Sequence, residues 1–347
     1  MKRLKAARQL YNACLGEALR RHGLVRQSKA YQIAIKLPKT VAAANGKRKY
    51  NPERSAALKA ANQAHNFSEY ALHAYVTPIR QSWIGEHLDA NTCQKVGTRA
   101  FNAAWQYHIG KKGRPRFKGI NQFDSVEGKN NKTGIVLRDA VIVWTGLTLL
   151  LDYAEDDEVI GHGLKSPVKY VRILRRRIRD RWRWYAQLVN EGQPFVKPEK
   201  PLGTDRIGLD IGPSTVATVG ASKAHLDVFC HELSDTRKAI GRTQRALSRS
   251  QRASNPECFE PDRWVKKDKH WKRKKGKAKN GLRQRNRSNT GRALQKRLTN
   301  QQRVMAAHRK SLHGQLIHKI LALGTDIWTE ALSYKAFQRR FGRSVQF

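Results

Sequence analysis

The stretch Arg206-Ile207-Gly208-Leu209-Asp210-Ile211-Gly212 decides how the chain is read. It is an apolar strand carrying one carboxylate, and it runs through Pro213-Ser214-Thr215 into a second strand, Val216-Ala217-Thr218-Val219. A third strand, near Leu226 to Leu233, would complete a meander. Side chains alternate along a strand, so Asp210 points away from both Leu209 and Ile211. It either projects into a site or is buried at a heavy desolvation cost, which metal coordination relieves. Hard divalent cations such as Mg²⁺ are held by carboxylates of this kind, and a pair of such ions can activate water and stabilise the leaving oxygen in phosphodiester cleavage.

A second carboxylate is expected at the end of a strand after a long helix. Apolar residues recur at Leu294, Leu298, Val304, Leu312, Leu316 and Ile320, Gly324 stops the run, and Thr325-Asp326-Ile327-Trp328-Thr329-Glu330 reads as a strand ending in Glu330. Helix and strand would form one crossover beside the Asp210 strand and bring Glu330 near Asp210. Asp326 shares the face of Glu330 but lies about 13 Å away along the strand, too far to join the pair. A strand-turn-strand of this kind opens both actin-like ATPases and RNase H-like nucleases. The ATPase needs a second Gly-bearing phosphate loop with an acid late in the chain, and no D-x-G follows Asp210.

Charge favours the nuclease. Of 347 residues, 69 are Lys or Arg and 27 are Asp or Glu, a formal charge of +42. A compact chain with that excess repels itself unless a polyanion neutralises it, so nucleic acid is the expected partner and a substrate-only metabolic enzyme is disfavoured. The excess is uneven: Thr236 to Lys310 holds 25 Lys or Arg against four acids, half of the total between the two acid-bearing strands. An apolar content of 39% with 8 Trp supplies one or two cores and argues against wholesale disorder.

Before Asp210 the pattern changes twice. Leu4, Ala7, Tyr11, Cys14, Ala18 and Leu19 recur at helical spacing, and helical composition continues through Ala56 to Ala64 and Ser68 to Ala74 to a run capped by Asn91-Thr92 and ending at Tyr107-His108. Residues 1–110 are therefore read as mainly helical. At Lys111-Lys112-Gly113-Arg114-Pro115-Arg116-Phe117-Lys118, Gly and Pro stop the helix and five cations surround one aromatic. Strands follow through residues 111–200. Val141 to Trp144 and Leu147 to Leu151 form a hairpin around Thr145-Gly146. A second runs from Val168 to Ile178, turns near Asp180 and returns from Trp182 to Val189. On the return strand Trp182, Trp184, Ala186 and Leu188 share one face, and Arg181, Arg183, Tyr185 and Gln187 the other. One face packs and the other can meet phosphate.

Candidate nucleic-acid contacts are accordingly Arg114, Arg116 and Lys118, then Arg175, Arg176, Arg177, Arg181 and Arg183. Trp264, Lys266, Lys267, Trp271, Lys272 and Arg273 join them, because aromatics among cations can stack on unpaired bases. The alternative for the last group is a disordered basic loop. The Pro-rich segment Gln193 to Gly203 is a linker, and 201–347 is read as an α/β domain with a basic helical insertion over 235–310. His308, His313 and His318 lie five residues apart, about 140° around a helix, and cannot share one metal. Cys14, Cys93, Cys230 and Cys258 form no C-x-x-C pair, so neither a disulfide framework nor a zinc ribbon is expected. The apolar run Ala140 to Leu151 is broken at Trp144-Thr145-Gly146 and is too short to cross a bilayer, and Met1-Lys2-Arg3-Leu4-Lys5 lacks the apolar core of an export signal. A cytoplasmic, nucleoid-associated protein with no membrane partner is expected.

Arg206 to Gly220, the Arg-rich helices and the Glu330 strand resemble the TnpB (OrfB) family of transposon-encoded proteins, relatives of the type V CRISPR effectors. Further matches are Arg8-Gln9-Leu10-Tyr11-Asn12-Ala13, Gly113 to Lys118 and Trp184-Tyr185-Ala186-Gln187-Leu188, so the likeness spans nearly the whole chain. The resemblance implies an α/β multidomain protein: a helical recognition lobe, a wedge-type β-barrel and an RNase H-like (RuvC) domain. It further implies a guide RNA and double-stranded target DNA as partners, DNA cleavage with Mg²⁺, and Asp210 and Glu330 in the positions of the first and second RuvC acids. In two respects the chain departs from the family. No acid follows Glu330, so the third catalytic Asp and the zinc-binding C-x-x-C pair have no counterpart, and the opening wedge strand is also missing. The expectations are thus a Mg²⁺-dependent RNA-guided nuclease if the site is complete, or a truncated, nuclease-deficient RNA-guided DNA binder.

Overall fold

The computed structural model describes residues 1–42, 48–179, 181–197, 202–221, 223–267, 270–282, 286–331, 333, 336 and 339–340. It is a mixed α/β protein that divides into two compact units, Met1–Val196 and Lys197–Phe347. None of its described helices is long and apolar enough to cross a membrane.

The first unit opens with helices α1 (Lys2–Gln27) and α2 (Lys29–Lys36), a short hairpin β1 (Thr40–Ala42) and β2 (Arg48–Tyr50), then α3 (Pro52–Ala64), α4 (Glu69–Arg80) and α5 (Ala90–His108). The apolar stripe of α1 is fully buried at Leu10, Cys14, Leu15 and Ala18 and packs with Cys93, Val96, Ala100 and Ala104 of α5 in one core. Small residues on both faces let these helices approach closely; a Cβ on Gly97 would sit 3.1 Å from Val76 of α4. The cap of α5 is Asp89 rather than the expected Asn91-Thr92. Its Oδ1 accepts the Thr92 N–H at 2.9 Å, and its Oδ2 accepts Trp144 Nε1–H at 3.0 Å, tying the helix start to a strand.

The strands are β3 (Ser125–Glu127), β4 (Ile135–Arg138), β5 (Val141–Trp144) and β6 (Thr148–Leu150), followed by helix α6 (Glu158–Lys165) and the long pair β7 (Val168–Ile178) and β8 (Arg181–Asn190). The hairpin at Thr145-Gly146 is present, with both turn residues at positive φ, as a two-residue turn of this hand demands. The turn expected near Asp180 falls on a residue outside those described. No closed barrel is found among the described residues. The strands instead form two three-stranded sheets, β3-β7-β8 and β4-β5-β6. The strands of the second sheet are only three or four residues long. Residues of both sheets, among them Ile142, Leu149, Ile173 and Leu188, line a cavity of about 1390 Å³. Helices and strands of this unit share one core, from Leu4 and Leu72 to Ile135, Ile142 and Val171. Helices and strands thus fall in the same compact unit, Met1–Val196.

Asn12 clamps the basic segment after α5. Its Oδ1 accepts the Lys118 N–H at 2.8 Å and its Nδ2 donates to the Lys118 carbonyl at 2.9 Å, with Arg8 adding a third bond at 3.3 Å. Near the end of α5, His108 sits among the rings of His22, Tyr31, Phe67 and Trp105. Burial holds its pKa down at about 4, with His22 and Arg26 adding to the depression.

The second unit contains β9 (Arg206–Ile211), β10 (Thr215–Val219) and β11 (Ala224–Val228), then α7 (Ser234–Ser254), the hairpin β12 (Arg263–Lys267) and β13 (His270–Lys274), α8 (Asn289–Leu321) and β14 (Asp326–Thr329). The third strand stops before the expected Leu233 because Cys230 takes a left-handed φ of 47° and His231–Leu233 turns into α7. The Ser288 hydroxyl caps α8 by accepting the Gly291 N–H at 3.0 Å. Ile240 and Leu247 of α7 pack with Leu298 of α8 in a small second core. All four cysteines are buried, and burial pushes the Cys14 and Cys93 thiols up to about 12.

Asn12→Ala removes both bonds to Lys118 and is expected to lower stability by about 1–2 kcal/mol in chemical denaturation. The depressed pKa of His108 carries a pH dependence of definite sign. Unfolded, this histidine protonates near pH 6.5, and folded, only near 4, so the stability it contributes is complete above about 6.5 and is lost as pH falls through that window. Thermal denaturation at pH 7 and pH 5 should show a smaller acid-induced drop in Tm for His108→Phe than for the parent chain.

Candidate functional site

The four-stranded sheet of the second unit has the order β11-β10-β9-β14. Pairs β11–β10 and β10–β9 are antiparallel; β14 joins β9 in parallel, with Asp326 opposite Arg206 and Thr329 opposite Leu209. Glu330 follows Thr329 directly, so the same register carries it to the level of Asp210. The crossover inferred from α8 and Gly324 thus has its two strands side by side.

Backbone contact sets this register. Gly203 N–H donates to the Leu321 carbonyl at 2.9 Å, and Asp205 N–H to the Leu323 carbonyl at 3.3 Å, extending the ladder below β9. A Cβ on Gly324 would lie 1.8 Å from the Asp205 carbonyl oxygen, and one on Gly203 would lie 2.1 Å from the Leu323 carbonyl. Both positions need glycine for the close approach itself, and at Gly324 that requirement adds to the helix stop.

The sheet is sharply two-faced. Ile207, Val216 and Thr218 point to one side and are buried, and Lys319 of α8 reaches Asp227 on that side at 2.6 Å. Arg206, Gly208 and Asp210 point to the other, with Val219, Leu226, Val228 and Trp328, and that side is open to water. Asp210 thus projects rather than being buried, the first of the two alternatives set by its mid-strand position. Glu330 is exposed as well. At the far end of the pair, Asp326 is held by Arg206 at 2.7 Å and by Trp328 Nε1–H at 3.1 Å, with the guanidinium over the Trp328 ring. These contacts commit Asp326 to the strand pair and away from the Asp210 level.

The cations proposed for nucleic acid fall into distinct places. Arg114 and Arg116 are exposed, and Lys118 is half-buried with its backbone clamped by Asn12. On β7–β8, Arg176 lies directly opposite Arg183, and Arg181 opposite Ile178, on the face that carries Tyr185 and Gln187. Arg176, Arg181 and Arg183 are exposed and pair with no described acid. Arg177 is exposed on the opposite face beside Trp182. Arg175 departs from its group: it is buried, bonded to Asp124 at 2.9 Å and to Asn121 at 3.3 Å, with its guanidinium 4.1 Å from the Trp182 ring centre. A guanidinium spent on those partners holds the sheet together and does not face phosphate.

Arg263 to Lys274, for which a disordered loop was the alternative, forms the β12–β13 hairpin. Trp264, Lys266, Trp271 and Arg273 share one face; Lys272 lies on the other, opposite Val265. Lys267 is at the strand end, and its side chain is outside those described. The segment read as helical insertion therefore contains a two-stranded hairpin between α7 and α8. Among the described residues, no group of three or more His, Cys, Asp or Glu is placed to hold a metal ion. Compared with known proteins, the chain matches no protein-family model and no curated sequence.

Gly324→Ala forces the Asp205 backbone away and is expected to cost about 2–4 kcal/mol, in the range of buried backbone clashes. Hydrogen exchange should show the Asp205 and Gly203 amides losing protection first.

Proposed function

We propose that the chain is an RNA-guided DNA-binding protein of the TnpB (OrfB) type, in which an RNase H-like (RuvC) domain presents Asp210 and Glu330 for Mg²⁺-dependent strand cleavage. The observation that carries this reading is the sheet of the second unit: three antiparallel strands and a fourth parallel to the first, with a carboxylate at one level on each of the two parallel neighbours. The helical part and β-strands of the first unit take the roles of recognition lobe and wedge.

The donor set suits Mg²⁺, which commonly takes one or two carboxylates from a protein and fills its remaining positions with water and substrate phosphate. Asp210 and Glu330 would hold the ion on the open face of the sheet. Bound there, it would acidify an attacking water and stabilise charge on the leaving oxygen. The chain's own work is to present both carboxylates in water at one end of the ladder, while Arg206 and Asp326 hold the other end. Sequence reading is left to base pairing with the guide, and exposed Arg114, Arg116, Arg176, Arg181 and Arg183 grip backbone or a short motif beside the target.

A second reading is guide-dependent binding without cleavage. An actin-like ATPase is disfavoured, because the Gly212 N–H that would face a phosphate is spent on the Thr215 carbonyl at 2.9 Å.

One set of assays separates the three. With guide RNA and Mg²⁺ the protein should nick matched duplex DNA, and Asp210→Ala and Glu330→Gln should each reduce nicking at least about a hundredfold while leaving guide-dependent retention intact. Retention without nicking in the parent chain leaves the binder, and nucleic-acid-independent ATP hydrolysis overturns both. Retention should fall steeply with salt, by roughly 0.9 log units per log unit of salt for each phosphate neutralised.

A further inference from the structure

The β12–β13 hairpin carries a feature that duplex binding does not use. Trp264 stands opposite Arg273 and Lys266 opposite Trp271, so one face is a checkerboard of two indoles and two cations. Both indoles lie in water, 65% and 63% exposed. Leaving two of the largest apolar side chains uncovered forfeits their burial, which marks the face as a contact surface. Directly opposed residues are about 5 Å apart and diagonal ones about 7–8 Å. Each indole therefore has a cation at its side, and the two indoles are separated by about twice the ~3.4 Å rise of stacked bases.

The hairpin is mounted firmly. Below it, Asp262 pairs with Arg273 at 2.9 Å and accepts the Gly276 N–H at 2.9 Å. Glu260 N–H donates to Lys277, and Lys279 N–H to Cys258, each at 2.9 Å. Gly276 is pressed against the Glu260 carbonyl, where a Cβ would come within 1.8 Å. Arg252 of α7 donates to the Gly276 carbonyl at 2.8 Å and lies over Phe259 at 4.4 Å. The indoles are thus held on a fixed frame.

Charge complementarity selects the occupant. Residues 263–279 hold ten Lys or Arg against one acid, which suits a phosphate backbone and repels an ordinary apolar partner. Flat aromatic faces among cations accept bases that are not already stacked in a duplex. We propose that this face is a stacking platform for unpaired bases of a single nucleic-acid strand, with Lys266 on its phosphates. The inference deepens the nucleic-acid reading above and rests on it for the origin of the strand, displaced DNA or unpaired guide.

The test uses the full chain without guide or target. Fluorescence anisotropy is measured with labelled oligothymidylate, a blunt duplex of equal length, an abasic sugar-phosphate strand of equal length, and anionic phosphatidylglycerol vesicles. Oligothymidylate should bind at least tenfold more tightly than the abasic strand, a comparison that leaves the protein unaltered. The double variant Trp264→Ala, Trp271→Ala should lose that preference, and Trp264→Phe, Trp271→Phe should keep most of it. Equal binding of abasic and base-bearing strands, or an unchanged preference in the alanine variant, overturns the platform, as does tryptophan-dependent vesicle binding without strand binding. Tryptophan-dependent strand binding alongside no guide-dependent duplex retention would sink the function proposed above and leave this inference standing.

Discussion

The parallel ladder between β9 and β14 exists because two backbones meet without side chains between them, at Gly203 against Leu323 and at Gly324 against Asp205. Parallel strands have no tight turn to set their register, since the connection is long and, here, runs from β10 through to the end of α8. The glycine contacts supply what a turn would supply in a hairpin. A slip of one residue would send Glu330 to the opposite face from Asp210, because side chains alternate with period two. The proposed cation site is therefore a property of backbone contact some distance from the carboxylates.

The same sheet has one buried face and one face open to water. Ile207, Val216 and Thr218 are buried on one side, while Asp210, Trp328, Val219 and Leu226 are left in water on the other. An acid on the exposed side carries no desolvation cost and stays available to a cation and a phosphate. In the first unit the division runs through single residues. Arg175 is turned inward among Asp124, Asn121 and Trp182 and supports the sheet, whereas Arg176, its chain neighbour, points to the opposite face and into solvent.

Much of this is legible in the sequence. The helix stop shortly before Gly324 and the turn at Thr145-Gly146 are local signals that local geometry obeyed, whereas on β8 Trp182 and Trp184, expected on the packing face, stay exposed. What went unread were relations between distant residues. Asp89 caps α5 while also holding Trp144, and no pattern near Asn91 reveals the second bond. β4 escaped notice because its turn, Asp139-Ala140, places an alanine at positive φ without a glycine to announce it. In place of the barrel expected from resemblance there are two three-stranded sheets among the described residues.

By itself, the sequence determined where helices and turns break, that the chain carries a large positive charge, and that Asp210 lies on a strand with Glu330 just past the end of another. Those are consequences of covalent order and of periodicities of two and 3.6 residues. Only the tertiary structure decided that Glu330 comes to the level of Asp210, that Arg175 is removed from the cation surface, and that Trp264 and Trp271 share one face. Each of these depends on register or burial, which are set by contacts between segments far apart in the chain, and no local pattern encodes them.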